Sequence, residues 1–200
     1  MAGLTGVFGG TFDPPHLGHV ILADEGRAAF DLSRVLFVVT GQPPHKPHEP
    51  ITSLDDRLEM VGTAISDNPF FVISRADIDR PGPHFAVDTL RWLAARDPEA
   101  SFVYLIGADS LCDLPTWHSP AEFVDACAFL GVMRRPDVAP DMTALESQLP
   151  GLSAKVHYFD APLVGISAHD IRSRIRTDRP YRYLVSQGVA DIIERQGLYR

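Results

Sequence analysis

Cysteine and lysine are both scarce in this chain: of 200 residues, only Cys112 and Cys127 are cysteines and only Lys46 and Lys155 are lysines. Two thiols without CxxC spacing are too few for a disulfide framework, so they read as reduced thiols of a cytoplasmic protein. Long apolar runs are missing too. No stretch of about 18 apolar residues is available to span a membrane, and no basic stretch leads into an apolar segment as a secretion signal requires. A cytoplasmic chain with no membrane partner is the expectation. Excess positive charge is also absent, because 18 Lys and Arg face 26 Asp and Glu for a net charge of −8. Proteins that coat nucleic acid concentrate cations to neutralise many phosphates, so the charge argues against that class. A small phosphorylated ligand needs only a few cations. Arg172, Arg174, Arg176, Arg179 and Arg182 do crowd one segment, though such crowding also suits a solvated helix face.

What the chain does hold is apolar residue in quantity, 45% of the total, enough for a full core in a single domain over residues 1–200. Short β-branched and aromatic runs predict strands at Leu4–Phe8, Val35–Thr40, Phe70–Ile73, Phe102–Ile106, Phe129–Met133 and Val156–Phe159. Most lack polar alternation, as strands buried on both faces should. Helical periodicity predicts helices at Gly18–Phe30, Leu54–Ser66, Val87–Arg96, Pro120–Ala126, Ala168–Arg176 and Gly188–Gln196. Alternating strands and helices imply an α/β fold with a Rossmann-like, doubly wound parallel sheet. Capping boxes are expected at Ser119-Pro120-Ala121-Glu122 and Ser167-Ala168-His169-Asp170. The segment Gly41–Pro50 (GQPPHKPHEP) is too rich in proline for helix or central strand and reads as an exposed loop.

The chemistry concentrates after the first strand, in Gly9–His19 (GGTFDPPHLGH). Gly9-Gly10 permits a tight turn and close approach of backbone amides to a ligand. Thr11, Phe12, Asp13, Pro14 and Pro15 form a rigid loop, and the chain then enters a helix near His16–Gly18. His16 and His19, three apart, share one side of the first turn beside unpaired amides and the positive end of the helix dipole. An anion site at the carboxyl end of the first strand is where open α/β sheets bind nucleotides. Neither GxxxxGK[ST] nor GxGxxG is present, so the site is of another kind. A lone HxxH is often an ordinary pair of capping or surface histidines. A zinc reading would need further ligands nearby, and none is apparent.

The surrounding residues decide the matter. GGTFDPPHLGH resembles the (H/T)xGH signature of the nucleotidyltransferase superfamily, and Ile166–Arg172 (ISAHDIR) resembles its second signature, ISxTxxR. Within that superfamily the chain is similar to the bacterial nicotinate-nucleotide adenylyltransferases. Their hallmarks recur as PPHK at Pro43–Lys46, DTL at Asp88–Leu90, GADS at Gly107–Ser110, PTW at Pro115–Trp117 and QGLY at Gln196–Tyr199. The resemblance implies adenylyl transfer from ATP to nicotinate mononucleotide, giving deamido-NAD and pyrophosphate. Mg2+ accompanies the ATP, and no resident metal is expected.

Residue by residue, the resemblance places Gly9, Gly10, Thr11, Phe12, His16, His19, Gly107, Asp109, Ile166, Ser167 and Arg172 at ATP. It places Lys46, Phe85, Ala86 and Trp117 at the mononucleotide. His16, His19, Lys46 and Arg172 are the implied catalytic set, Asp109 the acceptor for ribose hydroxyls, and Trp117 the stacking partner of the pyridine ring. Trp92 reads as packing, and Arg174 and Arg176 as surface charges. Two departures stand out. The family's (T/S)YTxDTL is here His84–Leu90 (HFAVDTL), which loses two hydroxyls, and His169 replaces a threonine. At this level, transfer to nicotinamide mononucleotide or another phosphorylated acceptor stays open, as does a sensor that binds nucleotide without turnover. Oligomeric state is not written in the sequence.

Overall fold

The computed structural model describes residues 3–41 and 51–200. Six strands, β1 (Leu4–Gly10), β2 (Arg34–Val39), β3 (Phe71–Ser74), β4 (Ser101–Gly107), β5 (Phe129–Met133) and β6 (Val156–Phe159), form one sheet. Its order is β3-β2-β1-β4-β5-β6 and every pairing is parallel. This is the doubly wound arrangement expected, with the order reversing between β1 and β4. All six predicted strands are present, each within two residues of its expected start and end.

Successive side chains divide between the two faces. On β4, Val103 and Leu105 pack on one side with Phe8, Phe37, Leu22 and Ile171. Phe102, Tyr104 and Ile106 pack on the other with Val7, Leu36, Leu90 and Phe123. Burial on both faces is why these strands read as continuous apolar runs.

The first face is covered by α1 (Leu17–Ala29), α2 (Leu54–Ala64), α8 (Ala168–Arg176) and α9 (Gln187–Gln196). The second is covered by α3 (Ala86–Arg96), α4 (Ala108–Asp113), α5 (Pro120–Ala126), α6 (Met142–Gln148) and α7 (Leu152–Lys155). The short helices α4, α6 and α7 were not expected from periodicity. Among the described residues no helix is long and apolar enough to cross a membrane.

Helix termini correct one expectation and support another. Ser119 does not cap α5: its backbone is left-handed at φ 47 and its side chain makes no cap bond. Glu122, expected to close that box, pairs with Arg91 instead. Ser167 does cap α8, accepting from the Asp170 N–H at 3.1 Å, while the Asp170 carboxylate turns to Arg174 at 2.6 Å. Trp92 packs against the second core, as expected, with the Arg96 guanidinium 3.5 Å over its ring.

The C-terminal end returns to the first loop. α9 ends at Gly197, whose φ of 63 suits glycine, and Leu198 N–H closes the helix on Ile193 O at 3.0 Å. The turn carries Tyr199 back to Asp13.

Candidate active site

The carboxyl ends of β1, β4 and β5 open onto two cavities on either side of the Thr11–His16 loop. The larger, about 550 Å³, is lined by His16, Gly18, His19, Asp109, Arg134, Arg135, Asp137 and the stretch from Ala161 to Ala168. The smaller, about 220 Å³, is lined by Gly9, Gly10, Thr11, Thr40, Asp77, His84, Phe85, Ala86, Tyr104, Trp117 and His118, among others.

His16 is the N-cap residue of α1 and His19 lies three residues on. His16 N–H donates to His19 Nδ1 at 3.1 Å. That bond leaves the proton of a neutral His19 on Nε2, free to donate. The two rings stack at 3.6 Å. A Cβ at Gly18 would stand 3.1 Å from His16 Nδ1, tighter than an ordinary contact, so any larger residue would have to displace the ring by a few tenths of an ångström. The glycine of the HxGH pattern thus leaves the histidine pair uncrowded.

Burial, with the Arg135 charge added, holds His16 down at about 4. Burial first, then the charges of His16 and Arg135, holds His19 well below its ordinary value. Both rings are therefore neutral donors at pH 7 rather than imidazolium cations. His16 Nδ1 is buried without a hydrogen-bond partner among the described residues, a cost of about 1–3 kcal/mol that a bound donor or water would remove.

These shifts have a stability consequence. As pH falls from 6.5 toward 4, the unfolded chain protonates at position 16 while the folded chain does not. Stability is therefore full above 6.5 and declines toward 4, by about 3 kcal/mol for His16. Urea unfolding of wild type and His16→Gln across that window should show a shallower decline in the variant; parallel curves would contradict it.

The expected residues divide between the two cavities. His16, His19, Asp109, Ile166 and Ser167 gather at the larger one, whereas Gly9, Gly10 and Thr11 line the smaller one with Phe85, Ala86 and Trp117. Phe12 lines neither. It is 2% exposed and packed edge-on against Phe8 and His19. Gly107 caps α4, and Asp109, in the first turn, forms an ion pair with Arg135 at 3.5 Å. Arg172 donates to Asp13 O at 2.7 Å, which ties the second signature to the loop of the first. His169 is exposed on α8. Lys46 and the rest of 42–50 lie outside the described residues.

At the smaller cavity, Trp117 is half-buried against Tyr104 and Phe123. Phe85 stacks on His118 at 4.0 Å. Phe85 is also the N-cap residue of α3, and no side chain caps that helix. The first amides of α3 are thus left for another acceptor. Below them, the buried Asp77 accepts from Thr89 Oγ1 at 2.6 Å and pairs with Arg80 at 2.9 Å, and Arg80 Nη2 also donates to Phe85 O at 3.2 Å. This network sets the position of the helix start.

Sequence reasoning missed several of these residues. Arg134 and Arg135 directly follow β5, and their place at a strand's carboxyl end was a usable signal. His118 follows the PTW motif. Arg57, 1% exposed, donates to four backbone carbonyls, of Thr11, Thr40, Gly41 and Thr52. Nothing local in the sequence marks it. Among the described residues no cluster of three or more His, Cys, Asp or Glu could hold a metal ion.

Comparison with known proteins gives this geometry its context. Residues 7–174 match the cytidylyltransferase-like family. The chain is 45% identical over 195 residues to the probable nicotinate-nucleotide adenylyltransferase of Thermomicrobium roseum, covering 98% of this chain and 91% of that one. It is 39% identical to the probable nicotinate-nucleotide adenylyltransferase of Geobacillus kaustophilus, covering 98% and 86%. The fold matches that of Plasmodium falciparum nicotinic acid mononucleotide adenylyltransferase complexed with NaAD, with a TM-score of 0.80, 17% identity and coverage of 98% and 97%.

Proposed function

The chain belongs to the cytidylyltransferase-like family and, within it, to the nicotinate-nucleotide adenylyltransferases, and from that premise we propose how its two cavities divide the reaction. ATP enters as its magnesium complex and occupies the larger cavity, its phosphates against His16, His19 and the Ser167 end of α8. The pyridine ring of nicotinate mononucleotide occupies the smaller cavity beside Trp117. The observation that carries this reading is the neutral, stacked His16–His19 pair at the start of α1, with a cavity on each side of its loop.

An oxygen of the acceptor's 5′-phosphate attacks the α-phosphorus of ATP. A new P–O bond forms as the bond to the bridging oxygen of pyrophosphate breaks, with no covalent enzyme intermediate. The residues' work is alignment and stabilisation of charge on the leaving pyrophosphate. His19 Nε2–H is a donor for that charge, and Ser167 adds a capped helix start with α8's free amides. Arg172 donates to Asp13 O and so joins the two signatures; it lines neither cavity itself, and its part is to hold the His16 loop against α8 with guanidinium nitrogens left over for phosphate. Asp109 serves the ATP ribose, and Lys46 the phosphates of both substrates. Mg2+ would arrive with ATP as part of the substrate and would offset triphosphate charge, with Asp109 and Asp137 the described acidic side chains in the larger cavity's lining.

The departures at Phe85 and Ala86 leave acid recognition intact on this reading. The uncapped first turn of α3 offers backbone N–H groups and a positive dipole to the nicotinate carboxylate. A neutral carboxamide gains far less there. Pyrophosphate release with ATP, magnesium and each of nicotinate and nicotinamide mononucleotide should favour the acid by at least about tenfold in kcat/KM, the equivalent of about 1.4 kcal/mol. Trp117→Ala should raise KM for the acceptor by about tenfold through lost stacking, while KM for ATP stays near wild type. Binding of ATP without pyrophosphate release would instead identify a sensor.

We read residues 1–200 as one nucleotidyltransferase domain, supported by the nearly full-length match to the relatives. A cytoplasmic site of action fits two cysteines that the structure leaves unpaired.

A further inference from the structure

We propose that the cavity at the last turn of α8 is a second ligand site, distinct from the two reaction cavities, and that it binds a nucleoside monophosphate. The arginine-rich segment resolves into engaged and unengaged members. Arg172 is on Asp13 O, Arg174 on Asp170, and Arg182 on Glu194 and Asp191. Arg179 donates Nε–H to Thr177 Oγ1 and lies only 3.9 Å from Asp170. Arg176 and Arg200 form no hydrogen bond or ion pair among the described residues.

These last two line, with Arg179, a cavity of about 450 Å³. Its apolar wall is Ile175, Tyr181 and Ile193, and the acidic side chain in its lining is Asp178. Burial and Glu194 push the Tyr181 phenol up, while Arg182 and Arg200 pull it down, so the Arg200 charge stands close to that ring.

In a chain of net charge −8, three arginines line this one cavity, of which Arg179 is shared with Asp170 at 3.9 Å. Helix stabilisation is the plainer use for cations at a helix C-terminus. Here, however, three carbonyls of the last turn are already taken. Ser173, Arg174 and Ile175 O accept from the amides of Thr177, Arg179 and Asp178, which weakens the pull of the helix end on the arginines. Guanidinium forks match phosphate oxygens bidentately, and the tyrosine and isoleucine wall accepts a planar ring. Together they fit a phosphate joined to an aromatic base. The site shares α8 with Ser167, so the helix that closes the larger reaction cavity at one end carries this one at the other.

Equilibrium dialysis of the full chain with labelled AMP tests the proposal, with Arg176→Ala/Arg200→Ala beside wild type. Wild type should bind AMP at two sites. The double variant should lose one of them, with its affinity reduced at least about tenfold, and should retain turnover within about twofold. Inorganic phosphate should compete for that site at least about tenfold more weakly than AMP, since it lacks the ring. A single site in wild type, or equal AMP binding by wild type and variant, overturns the proposal. Competition by phosphate as strong as by AMP overturns the nucleotide assignment.

Discussion

Replacing His19 by alanine should lower kcat by about three powers of ten while KM for either substrate moves only a few-fold. The size of the effect follows from what the ring does at neutral pH. Its Nδ1 is occupied by the His16 N–H at 3.1 Å, so its single proton sits on Nε2. Burial keeps the ring uncharged, and a neutral donor costs little to hold in place before charge develops on the leaving pyrophosphate. A donor whose bond strengthens as that charge grows acts on kcat rather than on ground-state binding. Folding should survive. The ring contributes one acceptor, the 3.6 Å stack on His16, an edge contact with Phe12 at 5.0 Å and a tilted one with Phe8 at 6.0 Å, worth about 2–3 kcal/mol together. His19→Gln, whose amide nitrogen reaches the Nε2 position, should recover part of the rate. His19→Asn reproduces only the Nδ1 acceptor and should not. Near wild-type turnover in the alanine variant would remove His19 from the mechanism.

That expectation was reachable from GGTFDPPHLGH, and much of the fold was as legible. Parallel strands buried on both faces are pure apolar runs, so β1 to β6 declared themselves. The helices that escaped, α4, α6 and α7, span 6, 7 and 4 residues, too short for periodicity alone to reveal, and they lack the Ser-Pro-x-Glu start that marked the equally short α5. Ser119 misled because composition reports which residue could cap a helix, not whether its backbone is left-handed. In the site, motifs named residues without saying which way each one faces. Gly9 to Thr11 and His16 are neighbours in sequence, yet they line different cavities, and Phe12 between them turns inward to the core. Contacts across the chain were beyond local reading altogether: Tyr199 O–H donates to Asp13 Oδ1 at 2.7 Å across a separation of 186 residues.

Arg57 is the strongest instance of such a hidden contact, and Arg57→Met should cost about 3–5 kcal/mol of folding stability, lowering Tm by roughly 10 °C. The guanidinium donates to Thr52 O at 3.0 Å, Thr11 O at 2.9 Å, Thr40 O at 2.8 Å and Gly41 O at 3.1 Å. These carbonyls belong to the exits of β1 and β2 and to the approach to α2. Burial lowers the Arg57 pKa, and Asp13 and Tyr199 draw it back up, so the cation persists without a carboxylate in direct contact. Methionine fills similar volume but leaves those carbonyls without their donor, and each unmet group carries a penalty of about 1–3 kcal/mol before water or rearrangement reduces it. Arg57→Lys keeps the charge but cannot span four acceptors with one ammonium group, so it should fall between wild type and Met. Because Thr11 O is one of the four and Thr11 lines the smaller cavity, the lysine variant should also lose kcat while still folded at 25 °C. Urea unfolding and pyrophosphate release on the same preparations separate the two effects. A stability loss below about 1 kcal/mol in Arg57→Met would mean that water replaces the guanidinium at little cost. Unchanged kcat in Arg57→Lys would mean that the exit of β1 holds its course without the full fork.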